Sequence, residues 1–244
     1  FPLTIQDVGF SGNHSSEVSL DFTTLLHLVG ESDGAFAAEA DLSIVGAIEE
    51  EEGLQSWKYK HTDLSEASID VNSGSIALKG SLLNFEDDRV YGSGFKGEVE
   101  LEVLGKFEAQ ASALFGKSKH YRYWYADALT ELPAGPAIGP LEFNQFGGGA
   151  YYHMRKAIQE DQVHSDIGHT ATGVTYIPDP YSKLGVKARL GFRMLGQDKV
   201  FNGDATFEVR FNQSGGLRNV GFRGNGYFIT PRLENDLSKI GKKF

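Results

Sequence analysis

Cysteine is absent from this 244-residue chain. That excludes disulfides, thiolate metal ligands and a cysteine nucleophile, and with them the disulfide-stapled secreted scaffolds. It leaves the compartment open. Long apolar runs are also missing: a membrane-spanning helix needs about 18–20 such residues, and the best stretch, 23–30, is interrupted by His27. No signal-peptide pattern is visible, so an export signal is expected to have been removed or to lie outside this piece, which begins at Phe1-Pro2. Basic residues are outnumbered, 23 against 33 acidic, for a net charge of −10. Such a surface repels a nucleic-acid backbone, so no nucleic-acid partner is expected. No G-x-S-x-G elbow and no His-Glu-x-x-His pair occur, no catalytic residue is identified, and no enzyme activity or cofactor is expected.

What the chain does have is glycine, 30 residues of it, 12% aromatics, and apolar residues that alternate with polar ones. Phe36-Ala38-Ala40-Leu42-Ile44 alternates with Ala37, Glu39, Asp41 and Ser43. Phe95-Gly97-Val99-Leu101-Val103 alternates with Lys96, Glu98, Glu100 and Glu102. Val186-Ala188-Leu190-Phe192-Met194 and Ala205-Phe207-Val209-Phe211 do the same against lysine, arginine and glutamate. Period two is the signature of a strand, whose successive side chains point to opposite faces. Turn clusters such as Asn72-Ser73-Gly74 and Gln213-Ser214-Gly215-Gly216 separate the runs and read as hairpin connections. The fold class predicted is all-β: a large, twisted, mostly antiparallel sheet, two-layer β sandwich or open barrel with one or two short helices. The apolar side is expected to pack inward and the charged side to meet water.

Residues 1–244 read as one large β unit. Pro133, Gly135, Pro136, Gly139, Pro140 and Gly147-Gly148-Gly149 predict a long ordered loop or lid over 132–149, and segment 132–150 is the expected internal boundary. Two helices are predicted, over Tyr151–Asp161 and Pro231–Ile240, the second with Thr230 as N-cap and Gly241 as the stop.

Three stretches carry a resemblance: Val90–Gly97, Ala113–Gly116 followed by Tyr121–Ala128, and Phe146–Tyr152. Together they resemble a recurring β-rich module of very large secreted or surface-displayed proteins of Bacteroidota, over residues 35–230. The resemblance implies an extracellular or cell-surface location within a multidomain chain. It carries over no catalytic residue.

Several local patterns could carry chemistry. Gly92-Ser93-Gly94-Phe95-Lys96-Gly97 matches G-x-G-x-x-G, but dinucleotide binding needs a helix to follow, and here a strand pattern follows. Asp70 and Asn72, and Asp87 and Asp88, are acidic turn positions that could hold a surface cation weakly; the glutamate an EF-hand needs at loop position twelve is replaced by Ser81. On a strand, Tyr121, Tyr123 and Tyr125 share one face and His120, Arg122 and Trp124 the other, with Tyr151 and Tyr152 beyond the glycine run. Exposed, these aromatic residues are candidate ligand-binding residues that could stack on sugar rings or a partner; buried, they are core.

The function expected from sequence is a non-catalytic structural or adhesive scaffold module. It would pack against neighbouring modules of its parent chain or against copies of itself in a homo-oligomer. One alternative is a carbohydrate- or ligand-binding module, with a glycan as partner. The other is an outer-membrane β-barrel, favoured by period-two strands, glycine turns and a terminal Phe244. Against it stand the three lysines of 239–244 and apolar faces rich in alanine and glycine, so a membrane partner is disfavoured.

Overall fold

The computed structural model describes residues 3–12, 17–27, 36–51, 54–118, 120–158, 161, 166–197 and 200–229. The predicted helix over Pro231–Ile240 lies outside them. The described chain is all-β, with the single 3-10 turn Asp166–Gly168 interrupting it among the named elements. Its strands are β1 (Leu3–Gly12), β2 (Glu17–His27), β3 (Phe36–Glu51), β4 (Leu54–Ser73), β5 (Ile76–Asp88), β6 (Gly92–Val103), β7 (Phe107–Ser118), β8 (Tyr121–Glu131), β9 (Ala137–Ile138), β10 (Leu141–Tyr152), β11 (Met154–Lys156), β12 (Tyr176–Pro178), β13 (Gly185–Met194), β14 (Phe201–Phe211) and β15 (Leu217–Phe228).

Each main strand pairs antiparallel with the next, in the order β1-β2-β3-β4-β5-β6-β7-β8-β10-β13-β14-β15. The sheet counts 13 strands, of which β9 sits off this path against β10, leaving twelve in one up-and-down meander. It is one large open sheet, not closed into a barrel. Strands β11 and β12 form a separate two-stranded ribbon.

Two sequence expectations give way here. The predicted loop over 132–149 shrinks to a short connection carrying β9, because 141–152 forms strand β10, paired to β8 on one side and β13 on the other. The predicted helix over Tyr151–Asp161 does not form. Tyr151 and Tyr152 complete β10 opposite Tyr125 and Trp124, as suits residues with high strand preference. The chain leaves the sheet at His153, whose φ of 53° is left-handed, a conformation histidine tolerates better than most.

The described residues between His153 and Leu184, which are 153–158, 161 and 166–184, form a strap over one face of β6–β8, β10, β13 and β14. The core lies beneath it. Leu114, Tyr123, Tyr125 and Tyr151 rise from the sheet to meet Met154, Ile167, Tyr176 and Ile177 from the strap, with Phe85 and Tyr91 closing one side. The Tyr151 and Tyr176 rings stand 4.6 Å apart between centroids, and Tyr125 and Tyr176 stand 6.0 Å apart. Glycine on the neighbouring strand makes room for the rings. A Cβ at Gly185 would collide with the Tyr151 ring, and one at Gly116 with that of Tyr123.

The strap covers the charged face, the reverse of the expected arrangement. Lys187 is 5% exposed and its neighbour Val186 is 43% exposed; Glu208 is 8% exposed and Phe207 is 46%. Alternation defines two faces but does not say which is covered. The covering segment decides that, and this one brings backbone carbonyls, amides and hydroxyls that match a charged surface.

Candidate functional site

The strap is held by a polar cluster centred on Thr172. Its amide and hydroxyl donate to the two carboxylate oxygens of Asp127 on β8, at 2.7 and 3.0 Å. Lys187 Nζ on β13 lies 2.6 Å from Asp127 Oδ2 and donates to Thr172 Oγ1 at 2.6 Å. Arg189 Nη1 donates to the Thr172 carbonyl at 2.6 Å. Gly147 and Gly149 on the intervening β10 permit this approach. A Cβ at Gly149 would stand 2.7 Å from Asp127 Oδ2, and one at Gly147 would stand 3.2 Å from Thr172 Cγ2.

Further contacts spread outward from this centre. Lys96 on β6 donates to the Asp166 carbonyl at 2.9 Å, Ser112 Oγ accepts the Ala171 amide at 3.0 Å, and the Tyr125 hydroxyl donates to the His169 carbonyl at 2.8 Å. On β14, Glu208 gathers Tyr151, Lys156 and Arg210 at 2.7, 3.1 and 3.0 Å. Arg193 of β13 meets Glu142 of β10 at 2.8 Å. Buried charges are tolerated only when paired and hydrogen-bonded, and these carboxylates and cations serve one another and the strap. The cluster therefore works as an anchor.

Within the strap, burial raises the Tyr176 hydroxyl well above its ordinary range. Burial, assisted by the Lys96 ammonium, lowers the His169 imidazole below its ordinary value. Asp161 is held down to about 2, chiefly by its hydrogen bonds from the Arg155 guanidinium.

The aromatic residues singled out from sequence divide between the two faces. Tyr123, Tyr125 and Tyr151 are buried in the core, so the open stacking platform imagined for them is not what the fold presents. Tyr121 is half-buried on the same face, 6.4 Å from the Tyr123 ring. Trp124 and Tyr152 are half-buried on the opposite face, where they pair across β8 and β10. The cation candidates do not converge. Asp70 stands opposite Lys79, Asn72 opposite Ala77, and Asp88 Oδ1 accepts the Val90 and Tyr91 amides. Asp87 sits with Asp88 at the β5 bulge, with a left-handed φ of 51°. Among the described residues no three histidine, aspartate or glutamate side chains are grouped to hold a metal.

The uncovered face is a feature that sequence reasoning missed. Strand register aligns its side chains in rows across the sheet. One row runs Leu82, Gly97, Ala113, Ala126, Ala150, Val186, Val209, Val220; the next runs Gly80, Val99, Ala111, Ala128, Gly148, Ala188, Phe207, Phe222. No charged residue falls in either row. Their small members leave a shallow apolar groove of about 500 Å³ along Gly97, Ala111, Ala113, Ala126 and Ala128.

Aromatic rows border this field at both ends. At one end Phe95, Phe115, Trp124 and Tyr152 are successive cross-strand partners, with centroids of 5.3 Å for Phe95–Phe115 and 6.5 Å for Phe115–Trp124. At the other, Phe143, Phe192, Phe201 and Phe228 follow at 6.3, 5.8 and 4.8 Å. No family model matches the chain, and no curated protein or solved structure matches it either.

Proposed function

We propose that this chain is the wall of a membrane-embedded β-barrel of the outer-membrane type, with its apolar face toward lipid and its strap inside the polar lumen. The observation that carries this reading is the apolar field bounded by two aromatic rows. Phe143 and Tyr152 stand on one strand, β10, and are separated by roughly 30 Å at about 3.3 Å per residue. Tilted by about 40°, that span projects to roughly 23 Å, close to the ~25 Å apolar band of such barrels with aromatic girdles at both interfaces. Strands β6–β8, β10 and β13–β15 have 10 to 12 residues, and a tilted membrane strand needs about 9–11.

The inverted packing supports the same reading. A protein in water buries its oily surface, yet here lysine, aspartate and glutamate are buried and valine and phenylalanine are bare. Lipid rewards that inversion. It also forbids unpaired strand edges, so the reading requires partners for the edges of β1 and β15.

The scaffold reading draws on the same bare face, with neighbouring modules or further copies of the chain covering it. Two aromatic rows at bilayer spacing favour lipid over protein as the cover.

Because the chain has no cysteine, single reporters are easy to place. Val99→Cys, Val186→Cys and Phe207→Cys, folded into phospholipid vesicles, are expected to resist a water-soluble maleimide that readily labels Ser214→Cys in a hairpin. A monodisperse chain in detergent-free buffer, labelled equally at all four positions, would sink the membrane reading.

A further inference from the structure

We infer that the rim beyond the Phe95–Phe115–Trp124–Tyr152 row binds the phosphate of an anionic lipid headgroup; the inference rests on the membrane reading above. Lys117 follows Phe115 by two residues on the same face of β7, and Arg122 precedes Trp124 by two on the same face of β8. Both cations therefore sit one row, roughly 7 Å, outside the aromatic row. Aromatic belts mark the level of the headgroups, which puts these two charges where phosphates lie.

Lys117 and Arg122 are direct cross-strand partners. Like charges facing each other across a strand pair are destabilising unless an anion lies between them. Both side chains are exposed, and among the described residues neither has an ion-pair or hydrogen-bond partner. Two carboxylates of this rim are held by local bonds: Asp88 Oδ1 accepts two turn amides, and Asp179 accepts the Tyr181 amide at 3.0 Å and the Ser182 hydroxyl at 2.8 Å.

A third cation is fixed beside them. Lys183 Nζ lies 6.0 Å from the centre of the Tyr152 ring and 2.9 Å from His153 Nε2. His153 Nδ1 is 2.9 Å from the Arg122 carbonyl, to which it must donate. That leaves Nε2 to accept from Lys183, and among the described residues no carboxylate pairs with this ammonium. The opposite rim differs, since its hairpin tips carry exposed Leu104, Ile138 and Leu195. The two rims thus offer different surfaces, and one is built for anions.

The test uses tryptophan quenching. Trp57→Phe leaves Trp124 as the sole tryptophan of the two. The chain is folded into phosphatidylcholine vesicles containing equal small fractions of acyl-brominated phosphatidylglycerol or acyl-brominated phosphatidylcholine. The expected result is quenching that reports an enrichment of about fivefold for the anionic lipid, the scale of one basic side chain at a charged interface. Lys117→Gln with Arg122→Gln should bring the ratio to one, and the charge-keeping pair Lys117→Arg with Arg122→Lys should retain it. Equal quenching by both lipids in the parent, or enrichment that survives the glutamine pair, overturns the headgroup site and leaves the membrane reading intact. Failure to float with vesicles of either composition overturns both.

Discussion

Strands β1–β4 and strands β6–β14 obey the same alternation, yet they differ in what lies on their polar side. Under the strap, the polar side is a core of tyrosines and buried ion pairs. In β1–β4 it is a line of surface contacts: Ser11 with Ser19 and Asp21, Thr23 with Asp41 at 2.6 Å, and Lys60 with Glu17 at 2.7 Å. The apolar side is bare in both, as Phe10 and Phe222 show. The difference teaches that stability in this molecule is concentrated where the strap docks. The flank depends on strand pairing and on whatever covers its oily side.

The most disruptive way to break that asymmetry is Lys187→Met. It strands the buried Asp127 carboxylate and should cost about 3–5 kcal/mol in guanidinium unfolding of the folded, lipid- or detergent-bound chain. Adding Asp127→Asn should recover part of the loss. Lys60→Ala at the exposed Glu17 pair should cost under ~1 kcal/mol, and equal losses at the two sites would erase the comparison.

Gly149→Ala is next. Its methyl group would meet the Ala126 carbonyl at 2.6 Å as well as Asp127, and such overpacking typically costs about 1–3 kcal/mol. Amide exchange should accelerate in the strap and leave β1–β3 unchanged.

The smallest effect is a pH dependence. Burial keeps the folded His169 imidazole below its ordinary 6.5, so the unfolded chain binds the proton more readily. Stability should be full above pH 6.5 and fall as pH drops below it. His169→Gln should flatten that slope, and an unchanged slope would assign it to other groups.

Much of the sheet was legible in the sequence. The alternations Phe95–Val103 and Val186–Met194 became β6 and β13 as expected, because period two is a backbone property. Which side would be covered was not legible. The same alternation suits an inward or an outward oily face, and the segment that decides follows β10, where the sequence pattern predicts a helix over Tyr151–Asp161 and no cover for the sheet. The helix expected at Tyr151–Asp161 failed because a glycine on the adjacent strand, Gly185, offers the Tyr151 ring a seat that only a strand can reach.

The tyrosines of β8 were noticed in sequence, but the charged anchor was not. A signal for it did exist. Lys187, Arg189 and Arg193 share one face of a strand, and Asp127, Glu142, Asp204 and Glu208 share the matching face of others. Complementary charges on alternating positions of separate strands are what an enclosed polar layer looks like before its strands are aligned.

The nearest-neighbour order of the meander also governs assembly. Every main strand finds its partner in the main strand just before or after it, so hairpins can form one at a time, with the long segment between β10 and β13 as the exception to short closing loops. The strap cannot join so early. Its anchors reach back to Lys96 and Asp127 and forward to Lys187 and Glu208, so it docks fully only after β6 through β14 stand side by side. The interior of this protein is its last part to be built.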